Sequence, residues 1–216
     1  VSAALARDRP PAEAVGKARD LRRRVGELDT RYLARVEETL APLRARYERH
    51  PGRVPRETML VDIARTWRNT LPARFRLAFT FEEPCKAHHG RITERRLGTA
   101  TLRVLDDPEW EGLEPQVSIN EIAVTAVRGR VVKEARVLCG FSFHALARRY
   151  QRGPSALDDV VIADMALVAN VAVPDKGSVL IRTDTDGGGW RGVVIANVDP
   201  ITKTETRMVA VRTWLP

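Results

Sequence analysis

A stripe of apolar residues through the first fifty positions limits the fold more than any other feature. Val15, Ala18, Leu21, Val25, Leu28, Tyr32, Val36, Leu40, Leu43 and Tyr47 follow one another in steps of three and four. That spacing puts them on one side of a 3.6-residue helix. Pro10 and Pro11 suit its first turn, and His50-Pro51-Gly52 ends it. Pro42 is expected to bend or split it, because proline removes a backbone donor and crowds the preceding turn. The opposite side carries Arg22, Arg23, Arg24, Arg31, Arg35, Arg44 and Arg46. A helix this apolar on one side does not stay bare. Residues 15–47 are therefore expected to fold back on the rest of the chain, or to pair with a second copy in a homodimer or with a partner helix.

The rest of the chain reads as alternating blocks. A short helix is expected over 56–69. Phe75, Leu77, Phe79 and Phe81 alternate with Arg74, Arg76, Ala78 and Thr80, the period of a half-buried strand. Residues 82–98 read as a polar loop, and 99–105 as a second strand. Residues 116–127 and 130–139 form an expected hairpin about Arg128-Gly129. Ser142 is an expected N-cap for a helix to Arg152, and Ser155 for another to about Val173. Strands are expected over 179–183, 190–198 and 206–215. Segregated helices and strands of this kind make an α+β protein. It divides into a helical arm (1–72), a β-rich region (73–139) and a C-terminal α+β module (140–216).

Charge narrows the function classes. The 216 residues include 36 Lys and Arg against 28 Asp and Glu, a formal net charge of +8, and 31 of the 36 cations are arginine. Arginine grips phosphate through two parallel donors, so RNA or DNA is the expected partner. No apolar run is long enough for a membrane span. The stretch VSAALARDRPPAEA has no apolar core of signal-peptide length. With two cysteines, Cys85 and Cys139, there is no disulfide framework, and a reducing, cytoplasmic setting is expected.

Two segments carry chemistry. In Phe143-His144-Ala145-Leu146-Ala147-Arg148-Arg149-Tyr150-Gln151-Arg152, His144, Arg148 and Arg152 share one helix face. A histidine moves protons near neutral pH, and a guanidinium stabilises charge on a phosphorane-like transition state. The plainer reading is a helix-start histidine beside a solvated arginine row. In the last strand, Arg207, Val209, Val211 and Thr213 fall on one face and Met208, Ala210, Arg212 and Trp214 on the other. That leaves Arg212 as a charge among apolar neighbours, in need of a partner or ligand.

This order resembles the bacterial toxin ribonucleases whose fold is shared by RelE-type toxins, barnase and the tRNA-cutting colicins. It runs from a His-x-x-x-Arg helix through a second helix to an antiparallel sheet whose last strand is basic, and it covers about Gly140 to Pro216. The resemblance implies an endoribonuclease that needs no metal and attacks through the ribose 2′-hydroxyl. By position it implies His144, Arg148, Arg212 and Thr213 as catalytic, with Arg149, Arg191 and Lys203 as alternative occupants of those roles. Arg149, Arg152, Trp190, Arg191 and Lys203 are expected to hold nucleic acid, Trp190 by stacking on a base. The alternative is a non-catalytic, arginine-rich nucleic-acid-binding or assembly protein of phage or mobile-element type. A third class is a scaffold joined through the long helix.

Other motifs carry less. Asp184-Thr185-Asp186-Gly187-Gly188-Gly189 is similar to the first hairpin of ribonuclease H, but the later acidic residues for two metal ions are missing. Cys85, His88, His89, Cys139 and His144 do not show zinc-finger or ribbon spacing. No metal and no cofactor is expected.

Overall fold

The computed structural model describes residues 10–50, 57–77, 80–88, 91–104, 115–127, 130–153, 155–170, 174, 176–183, 188–198 and 205–215. The protein is α+β. Helix α1 spans Ala12–Glu48 and α2 spans Glu57–Thr70. A single 3-10 turn covers Ala73–Phe75. Four strands follow, β1 (Thr80–His88), β2 (Arg91–Arg103), β3 (Pro115–Val127) and β4 (Arg130–Ser142). Then come α3 (Phe143–Arg152), α4 (Asp158–Ala169), β5 (Ser178–Arg182), β6 (Gly189–Val198) and β7 (Glu205–Leu215). The strands are hydrogen-bonded in the order β1-β2-β3-β4-β7-β6-β5. The sheet is mixed, since β4 and β7 run parallel while β5, β6 and β7 run antiparallel. No described helix is long and apolar enough to cross a membrane.

The chain forms two compact units that interleave along the sequence. One holds residues 1–26, 103–119 and 137–216; the other holds 27–102 and 120–136.

In the unit of residues 27–102 and 120–136, the second half of α1 buries Tyr32, Val36, Leu40, Leu43 and Tyr47. Tyr32 Oη lies 3.1 Å from Thr99 Oγ1 of β2. Trp67 of α2 donates its indole N–H to Thr39 Oγ1 at 2.5 Å. The stripe of α1 is thus buried within the chain. Pro42 sits inside an unbroken 37-residue helix. Each buried Leu or Val contributes roughly 1.5–3 kcal/mol, so Leu40 and Leu43 on either side of Pro42 outweigh the roughly 3 kcal/mol that an interior proline costs.

Of the strand expected over 74–81, Arg74 and Phe75 belong to the 3-10 turn instead, Phe75 and Leu77 are buried, residues 78 and 79 lie outside the described residues, and β1 begins at Thr80. Residues 82–98, expected as a loop, belong largely to the β1–β2 hairpin. The pairing shifts register between Glu83 and Lys86, which brackets Pro84. Proline cannot donate to a ladder and is confined to edges and bulges; β1 is the edge strand at that end of the sheet.

In the other unit, Ser142 caps α3 as expected, its hydroxyl accepting from Ala145 N at 3.1 Å. Ser155 does not cap α4. Its hydroxyl accepts from Leu157 N at 3.2 Å in a local turn, and the helix starts three residues later at Asp158. Phe141, Trp190 and Trp214 form the aromatic centre of this unit, with edge-to-face ring separations of 5.1 and 4.9 Å. Such pairs add about 0.5–1.5 kcal/mol beyond area burial.

Candidate nucleic-acid interface

The last three strands build a concave surface because β7 carries one residue too many. Trp190 pairs with Trp214 and Arg191 with Thr213, but Gly192 pairs with Val211. Arg212 is the unpaired residue of a β-bulge, a device that re-aims side chains. Its effect on alternation is direct. Trp214 joins the Val209 and Val211 face, where its ring meets Trp190. Arg212 and Thr213 both turn to the opposite face, beside Arg191. The simple alternation that put Arg212 with Trp214 is therefore corrected by the extra residue. Gly192 permits the bulge, since a Cβ there would lie 2.7 Å from Ala210 O and 3.0 Å from Val209 Cγ1.

A cavity of about 330 Å³ opens on this face, lined by Ser178, Arg191, Gly192, Val193, Arg212 and Thr213. Arg191 and Arg212 are exposed, and among the described residues no carboxylate pairs with either. Among the described residues Thr213 Oγ1 makes a single long contact, 3.4 Å, to Trp214 O. The site offers two guanidinium groups and two hydroxyls with little internal satisfaction, which suits an anion with several oxygen acceptors. It presents no group that titrates near neutral pH.

Helix α3 holds His144, Arg148, Arg149 and Arg152, none of which lines the cavity. His144 is exposed, one turn before Arg148. Arg148 is 1% exposed. Its Nε donates to His144 Nε2 at 3.4 Å and its Nη1 to Gln151 Oε1 at 2.8 Å. Arg152 is half-buried in the last turn. Arg149 is fully buried. Its Nε donates to Asp164 Oδ2 at 2.6 Å and its Nη1 to Ser155 O at 2.8 Å, and Nη2 lies in ion-pair contact with the same carboxylate oxygen. Its guanidinium lies 4.7 Å from the Trp214 ring centre. Trp190 is also fully buried, its indole N–H donating to Asp164 O at 3.0 Å. Arg149 and Trp190, expected on a nucleic-acid surface, are both in the core. Lys203, His89 and the side chains of Cys85 and His88 lie outside the described residues.

The cap of α3 is tied to the groove. Ser142 Oγ, at the cap, donates to Arg212 O at 3.3 Å. The start of the His144 helix is tied to the backbone of the bulge residue. Sequence reasoning missed Ser178, Gly192 and Val193, and it foresaw Ser142 as a cap but not its bond to Arg212 O. The clash between the charge of Arg212 and its apolar alternation was the available signal for the bulge.

Two other groups are structural. Cys139 is a buried free thiol, and burial pushes it well above the ordinary thiol range, so it is unsuited to nucleophilic chemistry. In the other unit Glu121 is fully buried between Arg96 Nη2 at 2.9 Å and Arg136 Nε at 2.7 Å. Among the described residues no His, Cys, Asp and Glu cluster fits a metal ion. No protein-family model, curated protein or solved structure matches the chain.

Proposed function

We propose that this protein binds nucleic acid through its phosphates, with the β5–β6–β7 groove as the contact. The bulge that brings Arg212 onto the face of Arg191 and Thr213 carries this reading. Both guanidinium groups are free of carboxylates among the described residues, and the +8 charge of the chain supplies the wider attraction for a polyanion. A cytoplasmic setting belongs to the same proposal. Binding to a single-stranded oligonucleotide weakens with salt by roughly 0.7 log units of affinity per log unit of salt for each phosphate neutralised. Arg191→Gln and Arg212→Gln should each lower affinity about tenfold and reduce that slope by about 0.7. Titrations at several salt concentrations check this, and slopes unchanged in both variants would sink it.

RNA cleavage is a second reading, favoured by the Ser142–Arg212 contact. In it His144 moves the proton. Arg148, with its head buried, positions the imidazole through its bond to Nε2 and does not clamp phosphate. His144→Ala should then cost on the order of 10²- to 10⁴-fold, with products ending in 2′,3′-cyclic phosphate and activity surviving EDTA. Equal cleavage of an RNA and its 2′-deoxy analogue would reject this chemistry.

A further inference from the structure

Among the described residues strand β5 ends the sheet, and its hydrogen-bonding pattern determines which groups face outward. Thr183 N donates to Gly188 O at 2.9 Å, and Val194 N to Gly177 O at 3.0 Å. With the observed register, residues 177, 179, 181 and 183 direct their backbone groups to β6. The N–H and C=O of Ser178, Leu180 and Arg182 then point away from the sheet, as the alternation of antiparallel pairs requires. All three side chains are exposed, Leu180 to 54%. They lie on the face of the groove, because Ser178 pairs with Val193 and Leu180 with Arg191. An open edge with an exposed leucine at its centre is a template for another strand.

We propose that β5 pairs antiparallel with β5 of a second copy of this chain, about a two-fold axis beside Leu180. The sequence Ser178-Val179-Leu180-Ile181-Arg182 is self-complementary in that register. Leu180 meets Leu180 of the second copy and covers it. Each Arg182 meets a Ser178, so no arginine opposes its own copy, and like charges directly opposite are destabilising. The outward groups of the three residues form the three hydrogen-bonded pairs of the junction.

The two-fold lies perpendicular to the sheet, so both copies show the same face. Thr213, Arg191 and Leu180 lie in one row across the strands, and the row continues through Leu180, Arg191 and Thr213 of the second copy. At about 4.8 Å per strand, the two Arg191 backbones stand roughly 14 Å apart. The pairing itself is independent of any ligand. The union of two grooves into one basic face rests on the phosphate reading above.

A junction of one five-residue edge is smaller than the roughly 800 Å² per partner of a stable complex. The dimer should be weak, assembling at roughly 10–500 μM. Sedimentation of the full chain across that range should show reversible dimers. Leu180→Lys sets two cations against each other, and Leu180→Pro removes an outward N–H while leaving the bonds to β6. Both should remain monomeric throughout, with far-UV circular dichroism and thermal unfolding showing an intact fold. A second measurement does not depend on either variant. Hydrogen-bonded antiparallel partners have Cα atoms about 5.5 Å apart, within disulfide reach. In a Cys85→Ser background, Leu180→Cys should oxidise to a covalent dimer. Val132→Cys, exposed at 46% on β4, should do so far less. A wild-type chain that stays monomeric to about 1 mM, dimers unaffected by Leu180→Lys and Leu180→Pro, or equal cross-linking at 132 and 180 would each overturn the proposal. Loss of oligonucleotide binding in Arg191→Gln with dimers retained would separate the two proposals.

Discussion

A missing Cβ at Gly153 makes room for the buried guanidinium of Arg149. A Cβ there would lie 1.6 Å from Arg149 Nη1 and 2.7 Å from Arg149 O. The φ of Gly153 is −75°, open to any residue, so the requirement is one of space and not of backbone conformation. Gly153→Ala should push Arg149 from Asp164, and breaking a buried ion pair costs about 3–5 kcal/mol. Gly16→Ala is the contrast: nothing lies within 4 Å of its Cβ position in α1, and alanine there should stabilise by about 0.5–1 kcal/mol. Denaturant unfolding of the two variants checks both signs. Arg149 also shows why the core was only partly legible in the sequence. Arginine reads as surface, and nothing in HALARRYQR separates Arg149 from Arg152. What settles it is Asp164, fifteen residues on, whose carboxylate is itself buried. The cap at Ser142 was legible because its hydroxyl serves an amide three residues away. Trp190 was misplaced for the reason Arg149 was: its partner, the carbonyl of Asp164, is distant in sequence.

Elements were legible where their signal is periodic and illegible where one residue interrupts the period. The β3–β4 hairpin follows from two alternating runs around Arg128-Gly129. The β1–β2 hairpin was hidden because residues 82–98 are polar and read as a loop, and the register shift that brackets Pro84 interrupts the strand period there. Arg212 hid the groove in the same way, since an inserted bulge residue has no composition of its own and inverts the apparent faces beyond it. Pro42 is the opposite case, a breaker that does not break. It is exposed, while Leu40 and Leu43 are buried. Pro42→Ala should therefore restore a helix bond without disturbing packing. Alanine is favoured by about 3 kcal/mol in a helix interior, offset by about 0.4–1 kcal/mol because proline restricts the unfolded chain. The net gain of roughly 2 kcal/mol corresponds to about 4–8 °C in Tm for a chain of this size. Calorimetry that shows no rise would mean the helix is already distorted enough at Pro42 to avoid the penalty.

At the scale of the molecule, the two units each carry a buried phenol, and this ties stability to alkaline pH. Burial pushes Tyr32 up to about 12. Burial also raises Tyr150, and its hydrogen bond to Asp158 Oδ1 at 2.7 Å adds to the effect. A phenol raised in the folded state stabilises the fold fully below the unfolded value near 10. That contribution falls as pH rises through the folded value, because the unfolded chain loses its proton first. Between about pH 10 and 12, Tyr32 alone should remove about 2–3 kcal/mol, at 1.36 kcal/mol per pH unit. Tyr150 acts in the same direction in the other unit, where Asp158 also pairs with Arg24. Neither phenol should ionise in the native protein at pH 10.5. Absorbance at 295 nm and far-UV circular dichroism, followed together from pH 9 to 12.5, should show these two tyrosines ionising only as secondary structure is lost. Tyr32→Phe removes this one phenol from the unit of residues 27–102 and 120–136, where Tyr47 is also buried, and leaves the other unit unchanged. If the units unfold together, the variant should shift the whole transition to higher pH. If they unfold separately, only the step belonging to residues 27–102 and 120–136 should move. Full tyrosinate absorbance at pH 10.5 with intact circular dichroism would show that the phenols are not buried as described.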